Sequence, residues 1–243
     1  MAEPRLLIDR PLAGGTDVAL DEGRSRHVGT VLRLELGDTV RVFNVTDGEW
    51  RARVSAKTKR GVSVRVEDFV RAARAAADLD LLFAPVKRNA TDLIVEKAAE
   101  LGVARIRPVI THRTIAETVR LERLQSIARE AAEQTERFDV PEICAPLTLT
   151  RALDGWEAAR PLIYADEQGE GAAAIQALSS IKAPKLALLI GPEGGFTQEE
   201  RRMLRALSYV TPVSLGPRIL RAETAVIAAL TLIQAAWGDW RGA

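Results

Sequence analysis

Two glycine-containing segments near the end of the chain carry the residue types that could do chemistry. The first, Gly191-Pro-Glu-Gly-Gly-Phe196, follows an apolar run typical of a buried strand. Thr197 and Glu200 have the spacing of a capping box, which predicts a helix start directly after it. A glycine-rich turn at this position lets a ligand approach the backbone closely. The spacing matches neither a P-loop nor a dinucleotide fingerprint, and a purely structural turn is the alternative.

The second segment, Leu215–Thr224, leads from a short strand into a long apolar helix. Ile219 and Leu220 are too apolar for an exposed loop, so we expect them to be buried or to line a pocket. Arg221 and Glu223 lie between two apolar elements, where an uncompensated charge is costly. They form either a structural ion pair or part of a functional site.

The elements that position these segments divide the chain in two. In the first part, apolar and polar residues alternate in short runs between glycine turns, which predicts a small antiparallel barrel or sandwich. In the second part, apolar runs alternate with helical segments, which predicts an α/β domain with a largely parallel sheet. The expected domains are residues 1–71 and residues 78–243.

The α/β part has five apolar runs of strand length and three helical segments. The predicted strands are Leu79–Ala84, Ile106–Ile110, Leu162–Ala165, Leu186–Ile190 and Val210–Leu215. The predicted helices are Asn89–Leu101, Leu121–Phe138 and Ala225–Trp237. Glycine after the first of these helices and proline after the second are typical stop signals.

Composition limits the classes of protein. The 243 residues include 47% hydrophobic and 28% charged residues with a net charge of +1, which is ordinary for a globular protein. Residues 51–66 nevertheless contain six basic side chains and no acid. A polyanionic partner would therefore bind to local basic patches and not to the protein surface as a whole. A single cysteine, no leader at Met1 and no apolar stretch of membrane-spanning length predict a cytoplasmic protein without a membrane partner.

Together the two C-terminal segments resemble the RsmE family of bacterial 16S rRNA (uracil-N3)-methyltransferases, within the SPOUT superfamily. Further matches occur in the family's order along nearly the whole chain. They are Arg26-His27-Val28, Val31–Leu34, Gly37-Asp38, Lys97–Val103, Glu130–Arg137 and Pro141–Ile143. One departure is Thr111–Thr114, where relatives commonly carry a Ser- and Arg-containing run, although Arg113 is retained.

The resemblance implies an N-terminal PUA-like β-barrel and a SPOUT domain whose C-terminus threads a trefoil knot. It implies a homodimer packed through the knotted region, S-adenosylmethionine (SAM) as the cofactor, and 16S rRNA of the small ribosomal subunit as the partner. The implied product is a uridine of the decoding region methylated at N3. The residues implied to bind SAM are Leu189, Ile190, Gly191, Glu193, Gly194, Gly195, Leu215, Gly216, Pro217, Ile219, Leu220, Arg221, Ala222 and Thr224.

Methylation at N3 requires loss of the N3 proton, and a nearby cation would stabilise the developing anion. Arg221 is the first candidate for that cation, because it lies in the second segment and is permanently charged. Glu133 or Glu223 is the candidate base, and the sequence does not choose between them. One cysteine and two separated histidines predict no catalytic metal.

Basic residues of the first domain are expected to hold RNA phosphates, with Arg113, Gln134 and Arg137 closer to the substrate. The predicted phosphate contacts are Arg24, Arg26, Arg33, Arg51, Arg53, Lys57, Lys59 and Arg60. Selection of one uridine would then come from RNA shape and a splayed-out base. Two alternatives stay open: another SPOUT enzyme acting on ribose or tRNA, and a non-catalytic RNA-binding assembly factor.

Overall fold

The computed structural model describes residues 3–59, 61–74, 76–115, 118–168 and 171–242. By contacts between Cα atoms the chain forms two compact units. The first comprises residues 1–75 and 132–139, and the second comprises residues 76–131 and 140–243. Arg60, one of the predicted RNA contacts, lies outside the described residues.

The first unit is built on a five-stranded sheet with the strand order β1-β3-β4-β5-β2. The strands are β1 (Arg5–Leu7), β2 (Asp17–Ala19), β3 (Thr39–Asn44), β4 (Gly48–Thr58) and β5 (Gly61–Arg71). A short helix α1 (Glu22–Arg26) continues into a π-helical turn (His27–Val31). Of the strands, β3, β4 and β5 contain the short runs of alternating apolar and polar residues from which antiparallel strands were predicted.

Alternation along these strands fills the interior of the first unit. Val40, Val42, Val54 and Val64 are at most 2% exposed, while the residues between them face outward. Trp50 packs against this core, with its ring edge-on to Phe69. β1 runs parallel to β3, which the purely antiparallel prediction missed because a three-residue strand carries too little pattern.

The second unit holds an eight-stranded parallel sheet. Its strands are β6 (Asp78–Phe83), β7 (Arg105–Ile110), β8 (Glu142–Ile143), β9 (Leu147–Thr148), β10 (Leu162–Ala165), β11 (Ala172–Ala173), β12 (Lys185–Ile190) and β13 (Val210–Ser214). Its helices are α2 (Arg88–Glu100), most of α3 (Leu121–Gln134), α4 (Leu149–Leu153), α5 (Ala174–Ser179), α6 (Gln198–Ala206) and α7 (Ala222–Ala236). The last three residues of α3 belong to the first unit. A 3-10 turn (Asp239–Gly242) follows. The predicted α/β class with a parallel sheet is confirmed.

The strand order β11-β13-β10-β12-β6-β7-β8 brings the site-bearing segments to one edge. β12 lies between β10 and β6, with Leu189 opposite Tyr164 and Ile190 opposite Phe83. β10 also pairs with β13. Because all of these strands are parallel, their carboxyl ends meet at the same edge, where open sheets bind ligands.

Helix α3 ends at Gln134, four residues before the predicted end at Phe138. Glu136 has a φ of +60°, and the Arg137 N–H donates to the Ala132 carbonyl at 3.0 Å. This pattern is a Schellman-type helix end with a non-glycine residue in the left-handed position. Phe138 then packs edge-on against Phe43 within the first unit. The helical period did not reveal the stop, because the contact that requires it is distant in sequence.

Helix α7 begins three residues before its predicted start. Its residues Val226, Ala229, Leu230 and Ile233 are buried in the main core of the second unit. In the part of the chain that the structure describes, no helix has the length and apolar character needed to cross a membrane.

Candidate functional site

A cavity of about 940 Å³ opens at the carboxyl edge of the parallel sheet. It is lined by the segments that follow β6, β10, β12 and β13. The two segments singled out by sequence, after β12 and after β13, therefore form walls of one cavity. A volume of this size is at the upper end of the range for small-molecule sites.

The loop of residues 191–196 is packed against its own chain. A Cβ on Gly191 would lie 2.6 Å from Cε2 of the fully buried Phe196 ring. Gly195 has a φ of +65°, and a Cβ there would lie 2.4 Å from Glu167 Oε1. These two glycines are thus required by the loop's own packing, whereas the sequence suggested close approach of a ligand. At Gly194 a Cβ would meet only ordinary contacts.

Glu167, the second residue after β10, holds the same loop from the end of the neighbouring strand. Its Oε1 accepts hydrogen bonds from the Phe196 N–H at 3.1 Å and from Arg201 Nη1 at 2.8 Å. The adjacent Asp166 is buried and pairs with Arg205. Both acids line the cavity, and the sequence analysis missed them. Their position directly after a predicted strand of the sheet was the available signal.

Tyr164 lies beneath this loop and is fully buried. Its ring packs edge-on against Phe196, and its hydroxyl donates to Asp166 Oδ1 at 3.3 Å. Burial raises the pKa of Tyr164, and the nearby carboxylates of Glu167 and Asp166 raise it further. The phenol therefore stays protonated, as a donor that orients Asp166.

Three further contacts secure the loop and the start of α6. Arg113 Nη1 donates to the Gly194 carbonyl at 2.8 Å. The predicted capping box of Thr197 and Glu200 is confirmed, with both of its hydrogen bonds present. Glu200 also accepts a hydrogen bond from the His112 N–H at 2.8 Å. Arg113, predicted to contact RNA, thus has one nitrogen engaged with the loop.

The loop of residues 215–221 differs in being exposed. Gly216 has a φ of +110°, which favours glycine, and a Cβ there would meet nothing within 4 Å. Ile219 is 87% exposed. The sequence predicted that Ile219 would either be buried or line a pocket. It lines the cavity, and it is not buried. Within the described residues, no hydrogen bond satisfies the main-chain N–H groups of residues 218–221.

Arg221 and Glu223 do not form the structural ion pair that the sequence left open. Arg221 is exposed and is the N-terminal capping residue of α7. Glu223 is half-buried, and its Oε2 is buried without a hydrogen-bond partner in the described part of the chain. Both side chains line the cavity.

Most residues implied to bind the cofactor meet in this cavity. Those that line it are Ile190, Gly191, Glu193, Gly194, Gly195, Leu215, Gly216, Ile219, Leu220, Arg221 and Ala222. Leu189 is fully buried in the core, Pro217 lines an adjoining shallow recess, and Thr224 is exposed in the first turn of α7. Lys87, Arg88 and Arg218 also line the cavity and were not among the predicted site residues.

Five of the eight basic residues predicted to hold RNA in the first unit lie within 4.0 Å of a carboxylate in the described part of the chain, four of them at 3.5 Å or less. The pairs of these four are Arg24 with Asp9 and Asp21, Arg51 with Glu3 and Asp68, Arg53 with Glu67, and Lys57 with Glu35. Arg26 is 3.9 Å from Glu22 and its side chain is 74% exposed. Arg33 and Lys59 are exposed, with no side-chain partner among the described residues.

The remaining predicted residues, Glu133, Gln134 and Arg137, belong to the first unit. Glu133 Oε1 accepts a hydrogen bond from the Leu7 N–H at 3.2 Å. Gln134 is exposed, whereas the Arg137 side chain is 9% exposed and pairs with Asp139 at 2.6 Å. Glu133 and Arg137 thus make structural contacts in that unit.

Similarity to known proteins covers both units. The profile of the RNA methyltransferase domain family matches residues 73–234, and that of the RNA methyltransferase PUA domain matches residues 20–67. Ribosomal RNA small subunit methyltransferase E of Rickettsia conorii is 34% identical over 232 residues, covering 95% of this chain and 94% of that protein. The protein of the same name from Bacillus subtilis is 29% identical, covering 85% of each chain.

Two solved structures match nearly the whole chain. A methyltransferase from Legionella pneumophila, solved with bound SAM, has a TM-score of 0.89 and 32% identity, covering 98% of this chain and 100% of that one. Ribosomal RNA small subunit methyltransferase E from Neisseria gonorrhoeae, bound to S-adenosyl methionine, has a TM-score of 0.86 and 29% identity with the same coverage. The chain therefore belongs to the ribosomal RNA small subunit methyltransferase E family.

Proposed function

We propose that the protein transfers a methyl group from SAM to N3 of one uridine in the decoding region of 16S rRNA. The observation that carries this proposal is the meeting of two separate loops, residues 191–196 and 215–221, in one cavity of a chain from this family. Solved relatives bind SAM, which supports the same cofactor here.

The lining of the cavity fits such a ligand. Ile219 and Leu220 offer apolar surface to an adenine ring, and the unsatisfied N–H groups of residues 218–221 can donate to its ring nitrogens. The buried, unpartnered Oε2 of Glu223 can accept a hydrogen bond. SAM supplies an activated methyl group on its sulfonium.

The chain's own residues would position the uridine and stabilise its charge. Most of the rate should come from holding N3 in line with the methyl group. Arg221, exposed in the cavity and without a partner among the described residues, would stabilise the anion that forms as N3 loses its proton. Glu223 is the favoured proton acceptor, because it lines the cavity, whereas Glu133 already accepts a hydrogen bond from Leu7.

The proposal extends to the fold and assembly. We expect the five-stranded sheet of residues 1–71 to close as a PUA-like barrel, and the C-terminus of residues 78–243 to thread a trefoil knot. We also expect a cytoplasmic homodimer that packs through the knotted region. The half-exposed Ile227 and Leu232 of α7 offer apolar surface for such an interface. Light scattering on the purified protein measures the mass, and a monomer at micromolar concentration would contradict the dimer.

The decisive experiment supplies methyl-labelled SAM and the purified protein to RNA from a strain that lacks the modification. Small ribosomal subunits and bare 16S rRNA are compared, and the modified nucleoside is identified by mass. We expect 3-methyluridine at one position. A ribose-methylated nucleoside would indicate a different methyltransferase, and failure to bind SAM would indicate a non-catalytic assembly factor.

A further inference from the structure

The charged side chains that line the cavity are unevenly paired. Asp166 and Glu167 are engaged by Arg205 and Arg201. The side chains of the other charged lining residues have no hydrogen-bond or ion-pair partner in the described part of the chain. They are Lys87, Arg88, Arg218 and Arg221, together with Glu193 and Glu223. The unpaired groups thus comprise four cations and two carboxylates.

SAM does not account for this excess of cations. The cofactor carries a sulfonium, an ammonium and a single carboxylate, so it brings more positive than negative charge into the cavity. At most one cation is needed for its carboxylate, and the others would repel its sulfonium and ammonium. Arg221 is already assigned to the uracil ring. Lys87, Arg88 and Arg218, which we call the rim cations, are therefore left for another anionic ligand.

The rim cations differ from those basic residues of the first unit that were predicted to hold RNA and are paired with carboxylates. Arg24 and Lys57 in the first unit are paired with carboxylates, so a phosphate would have to displace an existing partner. The rim cations are exposed and have no such partner among the described residues. They come from the start of α2 and from the loop after β13, on the lining of one cavity.

We propose that Lys87, Arg88 and Arg218 bind the phosphates that flank the target uridine and thereby position its base in the cavity. The inference rests on the proposed function, because it takes RNA as the substrate. A base that leaves its stack must carry its flanking phosphates toward the cavity. Cations at the entrance would hold that backbone without reading sequence. These residues are positioning residues, and they do not contact the reacting atoms.

The test is the salt dependence of RNA binding by the full-length protein. The triple variant Lys87→Gln, Arg88→Gln, Arg218→Gln is compared with the control Arg151→Gln, Lys182→Gln, Arg202→Gln. The control removes the same charge from exposed side chains of the same unit, away from the cavity. The probe is labelled oligouridine of about 15 nucleotides, a length in the range of single-strand binding sites.

Each phosphate contact with a single strand contributes about 0.7 to the slope of log affinity against log salt concentration. The rim variant should therefore lose about 2 from the slope, while the control keeps the wild-type slope. Calorimetry should show unchanged SAM affinity in both. Because the rim side chains are exposed and make no hydrogen bond or ion pair with described residues, thermal unfolding should also be unchanged.

An unchanged slope in the rim variant, or an equal loss in the control, would overturn the proposal. Loss of SAM affinity with the slope retained would also overturn it, since the rim cations would then serve the cofactor. RNA binding is measured without methyl transfer. If the wild-type protein methylates no RNA, the proposed function is contradicted. If the rim variant nevertheless shows a smaller slope of log affinity against log salt concentration, the phosphate site is still supported.

Discussion

The two loops that face each other across the cavity are built in opposite ways. The tied loop, residues 191–196, is held by Glu167 from β10 and by Arg113. The open loop, residues 215–221, contains exposed residues and has main-chain N–H groups without partners among the described residues. One wall of the cavity is therefore formed before any ligand arrives, and the other is completed by the ligand.

This difference separates the energetic roles of the two loops. Hydrogen bonds of the tied loop contribute to the folded state and impose no further ordering cost when a ligand binds. Groups of the open loop contribute little to folding and gain their partners on binding. Substitutions in the tied loop should therefore lower the free energy of unfolding, and substitutions in the open loop should lower binding or catalysis at constant stability.

The largest expected effect is that of Arg221→Ala in the open loop. Methyl transfer should fall about 100- to 1000-fold, as when a group that stabilises developing charge is removed. SAM affinity and the melting temperature should stay close to wild type, because the side chain is exposed. Single-turnover transfer and calorimetry measure the two effects. Arg202→Ala is the control, and full activity of Arg221→Ala would remove Arg221 from the mechanism.

Next in size is Gly191→Ala in the tied loop. The new Cβ would lie 2.6 Å from the buried Phe196 ring, and such overpacking costs about 1–3 kcal/mol. Gly194→Ala in the same loop is the matched control, because its Cβ would lie 3.5 Å from Arg113. Urea unfolding measures the free energy of unfolding of both variants. Equal free energies of unfolding for the two variants would show that the loop can shift to accommodate a Cβ at position 191.

A smaller effect is expected for Ile219→Ser in the open loop. SAM affinity should fall about tenfold, through loss of apolar contact with the adenine. The free energy of unfolding should change by less than about 0.5 kcal/mol, since Ile219 is 87% exposed. Ile175→Ser on the surface of α5 controls for loss of an exposed apolar side chain. Reduced stability with unchanged SAM affinity would reverse the roles given to the two loops.

The smallest effect is that of Arg113→Ala, which removes one exposed hydrogen bond to the Gly194 carbonyl. We expect about 0.5–1 kcal/mol less stability and faster hydrogen exchange at the Gly195 and Phe196 amides. Arg151→Ala, at an exposed position on α4, should leave both amides unchanged. Unaltered exchange in Arg113→Ala would mean that Glu167 alone holds the loop.

Local pattern was sufficient for the longer elements and for locating the two loops, but it missed short elements such as β1. The strand Leu162–Ala165 and the capping box at Thr197 were predicted as the structure has them. The strand is a continuous apolar run and the capping box is a spacing of three residues, and the sequence displays both directly. The cavity walls at 191–196 and 215–221 followed from the resemblance to a family, because each loop alone was ambiguous.

Charge pairing was decided only by the tertiary structure. Arg53 stands in a stretch without acids, yet Glu67 of β5 pairs with it. Arg24 has Asp21 close in sequence and also pairs with Asp9, which lies 15 residues before it. The pairing depends on strand order and register, which bring distant residues together and which composition does not encode.

The same reason explains the cavity lining. Lys87 and Asp166 meet the two predicted loops because β6 and β10 flank β12 in the parallel sheet. The sequence by itself determined the longer elements, the family and the location of the two loops. The tertiary structure decided which charges stay unpaired at the site, because that depends on the neighbours each side chain acquires when the sheet forms.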